Sequence, residues 1–143
     1  MASRRRARQN ALKILYELDS TRHLPDEVLA RLLYEDEIDD GTYEFVSSLV
    51  KGVLEHVNDI DAIIGRHAPA FPVDQMATID RNILRIALFE LLYTDDTPVK
   101  VCINEAVELS KEFGADSTRK LVNGVLGSVA SKEIDESDES PAP

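Results

Sequence analysis

DRNILRIALFELLY, residues 80–93, decides the fold. Its Ile83, Leu84, Ile86, Ala87, Leu91 and Leu92, with Ile79 just upstream, recur at helical spacing and occupy more than one face. A helix that is apolar on several faces has to be surrounded by others, so this stretch predicts a central helix from about residue 73 to residue 93 of an all-α protein.

Working outward, the same period recurs almost everywhere, and no stretch sustains the two-residue alternation of a strand bounded by hairpin turns. A first helix follows Ser3, a candidate N-cap, and carries Ala11, Leu12, Leu15 and Leu18. A second opens at Pro25-Asp26-Glu27 and offers Val28, Leu29, Leu32 and Leu33. A long third helix from about Thr42 carries Val46 to Ile64 at intervals of three and four, and Gly65 is its expected stop. Beyond the central helix, one more runs to Phe113 before Gly114, and a last one spans about Ser117 to Ala130. Asn123-Gly124 stays in helical register there, so Gly124 is expected to be a close-packing position. The expectation is one compact domain, residues 1–130, of six or seven helices in two packed groups, followed by a disordered acidic tail, residues 131–143.

Composition narrows the function. The chain has 143 residues, 16 Lys and Arg against 27 Asp and Glu, and a net charge of −11. Residues 132–143 hold −4 of this and leave −7 on the body, so a basic partner suits the surface and a polyanion suits any basic cluster. No apolar run approaches the ~20 residues of a membrane span, and charged side chains interrupt the apolar residues after the basic start, so a cytoplasmic location is expected. The single cysteine, Cys102, lies in the apolar run Val101-Cys102-Ile103 and reads as a buried thiol.

The chemistry of an enzyme is not legible. In the acidic run from Asp36 to Gly41, Ile38 and Ser47 stand where a calcium loop needs ligands. His23, His56 and His67 lack the spacing of a zinc site on one helix. No phosphate-cradling glycine loop or nucleophile elbow occurs, and no metal, cofactor or catalytic residue is expected.

What stands out is RRRARQNALKILYELD, residues 4–19. The unpaired N–H groups at a helix start amount to roughly half a positive charge, so each cation there is disfavoured by about 0.3–1 kcal/mol. Arg4, Arg5, Arg6 and Arg8 nevertheless crowd that end, with no acid three or four residues from any of them. A local rule broken without local compensation marks a functional site, and the arrangement suits an external phosphate. The pattern recurs at Ser117, Thr118, Arg119 and Lys120, where hydroxyls join two cations at another helix start, although Asp116 softens it.

Three stretches, residues 4–19, 80–93 and PVKVCINEAVELSKEFGADSTRKLVNGVLGSVA at 98–130, resemble the NusB family of transcription antitermination factors over most of residues 4 to 130. The resemblance implies an all-helical, non-catalytic protein that pairs with a basic small-subunit ribosomal protein, NusE. The pair binds the boxA element of nascent single-stranded RNA and acts on the transcription elongation complex. It implies RNA contacts at Arg4, Arg5, Arg6, Arg8, Ser117, Thr118, Arg119 and Lys120, and partner contacts at Tyr16, Asp74 and Asp80. No same-helix cation pairs with Asp80, while Asp74 could equally be an N-cap. Leu121 stands where the family more often has phenylalanine, which removes a stacking platform.

Two other readings fit the residues. One is a helical scaffold that binds only protein; the other is an accessory domain of a ribosomal RNA methyltransferase system, since a similar helical domain precedes certain such enzymes. An exposed apolar face could also support a homodimer.

Overall fold

The computed structural model describes residues 4–35 and 38–134. Among them are six α-helices and no strand: α1 (Arg4–Ser20), α2 (Pro25–Glu35), α3 (Asp40–His67), α4 (Thr78–Tyr93), α5 (Val99–Phe113) and α6 (Asp116–Val129). The expected N-cap Ser3 and most of the acidic tail lie outside the described residues, as do Asp36 and Glu37 of the acidic run.

Helix α4 is the centre, as its several apolar faces require. It packs against α1, α3, α5 and α6, and buries Ile83, Leu84, Ile86, Ala87, Leu88 and Phe89. On one side α1, α2 and α3 form a group in which α2 touches only α1 and α3 among the principal contacts; on the other, α5 and α6 form a hairpin.

Several boundaries differ from expectation for identifiable reasons. Helix α3 begins at Asp40 because Asp39 caps it, its Oδ1 accepting the Thr42 N–H at 2.7 Å. It runs through Gly65 to His67 and stops at Ala68, which precedes Pro69 and is thereby pushed out of helical geometry (φ −141°, ψ 60°). Residues 73–75 form a separate 3-10 turn after Pro72. Met76 and Ala77 are extended, with Met76 turned into the core, so α4 begins five residues later than the apolar period suggests.

Gly124 is helical but exposed, and a Cβ there would meet nothing within 4 Å, so close packing does not explain it. The crowded glycines are Gly52 of α3, where a Cβ would fall 2.1 Å from the Phe89 ring, and Gly114, where it would fall 2.6 Å from the Thr118 side chain. After α6 the chain continues as a π turn, Ala130–Ile134. The His67 imidazole bonds Ser128 Oγ at 2.8 Å and Glu133 Oε2 at 2.9 Å, and Arg66 reaches the same oxygen at 3.1 Å, holding residues 131–134 against α3. Residues 135–143 of the expected tail are outside the described set.

Candidate nucleic-acid interface

Helices α1 and α5 lie side by side and run the same way: Arg5 meets Glu105, Gln9 meets Glu112, and the Lys13 ammonium lies 5.8 Å from the centre of the Phe113 ring. The eight residues from Arg5 to Lys13 span about 12 Å of helix. Since α6 begins three residues after Phe113, and Thr118 bonds Asp80 at the start of α4 where Asp19 of α1 also meets that helix, the start of α6 lies level with the second half of α1, and α5 runs between the two helix starts.

Tertiary structure supplies what the local sequence of α1 lacks. Arg8 is buried, only 4% exposed, and forms a two-pronged pair with Glu90 of α4 at 2.7 and 2.8 Å. Thr97 donates to the same carboxylate at 3.1 Å. Burial works against the Arg8 charge, but the hydrogen bonds and charge of Glu90 more than offset it and raise the Arg8 pKa. Arg8 therefore serves as a pin between α1 and α4, with its guanidinium held inside the fold. Arg5 is exposed and also doubly bonded, Nε to Glu105 Oε1 at 3.1 Å and Nη2 to Oε2 at 2.8 Å. Arg4 is exposed, its guanidinium 4.0 Å from the centre of the Phe45 ring of α3. Arg6 is exposed as well.

At the start of α6, Ser117, Arg119 and Lys120 are exposed and Thr118 is buried. The Thr118 hydroxyl accepts the Ala115 N–H at 3.0 Å and donates to Asp80 Oδ1 at 2.7 Å. It clamps the helix start, with both bonds of its hydroxyl made within the fold. Ala115, the N-cap residue, has no side-chain acceptor for the first-turn N–H groups. Leu121 is half-buried against the core.

The residues expected to meet a partner gather where α1 ends and α4 begins. Arg81 donates to Asp19 Oδ2 at 2.8 Å and contacts the carbonyls of Val73 and Asp74 at 3.4 Å. Tyr16, one turn before Asp19, is 44% exposed; Asp74 is exposed within the 3-10 turn, not an N-cap; Asp80 is half-buried on Thr118. Arg85 braces the same corner by pairing with Asp61 at 2.8 Å and Asp19 at 3.1 Å, while Asn82 donates to Asp19 at 2.9 Å.

The sequence reading missed Glu90 and Glu105. Glu90 had a signal, an acid inside the apolar Phe89–Leu92 run of a central helix, which demands a buried partner. Glu105 had none, since an acid 100 residues from Arg5 leaves no mark in local spacing. Cys102 is buried, as expected, and its thiol pKa is pushed up to about 12 by burial and by the Glu90 charge. Among the described residues, no group of three or more His, Cys, Asp or Glu could hold a metal ion, and no helix is long and apolar enough to cross a membrane.

The model of the NusB family matches residues 5–131. The chain belongs to the NusB family. Its relatives include the transcription antitermination protein NusB of Roseiflexus sp. strain RS-1, 51% identical over 92% of this chain and 95% of that one. Another is that of Bacillus subtilis, 41% identical over 90% and 95%. Among solved structures, T. maritima NusB superposes with a TM-score of 0.87 at 28% identity, covering 98% of this chain and 99% of that one. A structure described as antitermination factors NusB and NusE in complex with double-stranded RNA matches with a TM-score of 0.81 at 29% identity over 90% and 96%. This NusB-family chain is thus a non-catalytic transcription antitermination factor.

Proposed function

We propose that the chain is a cytoplasmic RNA-binding adaptor that holds single-stranded boxA-type RNA jointly with NusE and delivers it to the transcription elongation complex. The observation that carries this reading is the exposure of cations at two helix starts bordering α5: Arg4, Arg5 and Arg6 on α1, and Arg119 and Lys120 on α6. Ser117 adds an exposed hydroxyl. Arg8 and Thr118 act as positioning residues, one fixing α1 to α4 and the other fixing the start of α6.

Phosphate contacts would capture the strand, while polar contacts to the bases would select its sequence. Tyr16, Asp74 and Asp80 present an aromatic ring and acids to a basic partner, and the solved family complex with NusE and RNA supports that pairing. A titration with boxA-like, scrambled and double-stranded RNA, with and without NusE, tests the proposal. Tighter binding of the boxA-like single strand, strengthened by NusE, is expected; equal binding of all three RNAs under both conditions would overturn it.

A second reading, a scaffold for proteins alone, is favoured by one observation: Arg5 and Arg8 are already held by the chain's own carboxylates. Replacing Arg4 and Arg119 by alanine separates the two, because a scaffold has no RNA affinity to lose.

A further inference from the structure

Glu105 holds the position in α5 where a phosphate bound to the start of α1 would sit. Its carboxylate spans two guanidinium groups, doubly bonded to Arg5 and 3.8 Å from Arg8 Nη1. Arg8 does not need it, since Glu90 already provides a two-pronged, almost fully buried partner. Arg5 does not need it for burial either, because its side chain is 55% exposed. A carboxylate and a phosphate make the same forked contact with guanidinium. A phosphate on the Nε/Nη2 edge of Arg5 must evict Glu105, and one on the remaining edge meets its negative charge at close range.

We propose that Glu105 is an affinity-limiting residue of the RNA site, an internal competitor that RNA phosphate must displace from Arg5. The inference rests on the RNA-binding reading above and adds a direction to it. A residue that merely oriented Arg5 for RNA would weaken binding when neutralised, whereas a competitor strengthens it. The displacement is reversible because the pair is open to solvent on its Arg5 side, 55% exposed, although the Glu105 side chain is only 16% exposed.

The test compares the full chain with Glu105→Gln and Glu112→Gln in titrations with a boxA-like single-stranded RNA over a range of salt. Glu112 lies two turns further along α5 on the neutral Gln9 and acts on Arg5 through its charge alone, so its substitution removes the same charge from the same helix without removing a hydrogen bond of Arg5. Glu105→Gln is expected to bind about 5-fold tighter across the salt range, with a similar salt slope because Arg5 meets a phosphate in both proteins. Glu112→Gln is expected to change affinity less than about 2-fold, as a distant exposed charge does in salt. Unchanged or weaker binding by Glu105→Gln, or an equal gain in both variants, would overturn the inference while leaving the RNA reading intact. Failure of every protein to bind would overturn the RNA reading itself. Should Gln disturb the helix, which circular dichroism reports directly, Glu105→Ala, the better helix former, also removes the forked contact and is expected to show the same gain in affinity.

Discussion

Arg8 illustrates how one side chain can satisfy a functional pattern and do structural work. Its pair with Glu90 is nearly dry, the two side chains being 5% and 3% exposed, so removing one partner strands a charge in the interior. Arg8→Ala is expected to cost about 3–5 kcal/mol of stability in urea unfolding, and Arg8→Met combined with Glu90→Leu should recover most of it. A single substitution that leaves the midpoint unchanged would contradict the pin. Cys102 lies beside the same pair, with its thiol pKa pushed up to about 12. Near pH 8 it should therefore resist a thiol reagent in the folded protein and react once unfolded, and rapid reaction of the native chain would show the site to be open.

At the scale of helices, glycine and threonine separate positions that look alike in sequence. Gly124→Ala is expected to stabilise by about 0.5–1 kcal/mol, because the added methyl meets open space and the helix loses a flexible residue. Gly52→Ala should instead destabilise by about 1–3 kcal/mol, since the Phe89 ring occupies the methyl's place. Opposite shifts in thermal midpoint check both. Thr118→Val, which keeps shape and removes both bonds of the hydroxyl, should cost about 1–3 kcal/mol through the stranded Ala115 N–H and Asp80 carboxylate. The existence and type of these helices were legible because the 3.6-residue period of buried side chains is written locally. The end at Ala68 was written in the following Pro69, a stronger stop than the Gly65 expected to end α3, whereas the start of α4 set by the inward turn of Met76 was not legible, since it depends on packing. The two exposed helix starts were legible as charge pattern, but the carboxylates facing them come from other helices, and no local rule reports those.

For the molecule as a whole, carboxylates hold the helical groups together, and acid should release them. Burial raises the Asp19 pKa, but the bonds from Arg81 and Asn82 and the charge of Arg85 more than offset it, holding Asp19 below its ordinary 3.8. The bond from Arg5, followed by its charge, holds Glu105 below 4.5. A carboxyl depressed on folding adds stability above its unfolded value, and that stability is lost as pH falls through the folded one. The thermal midpoint should therefore be level near neutrality and fall as pH drops below the ordinary carboxylate range, with a shallower fall in Asp19→Asn. An acid limb unchanged by that substitution would remove Asp19 from the account.

The claim that exposed cations at two helix starts await a nucleic-acid backbone is tested most directly by the salt dependence of RNA affinity. With Arg4, Arg5, Arg6, Arg119 and Lys120 each neutralising a phosphate, log affinity should fall with log salt at a slope near −3.5, taking about −0.7 for each contact to a single strand. A slope near zero, with folding intact, would contradict it.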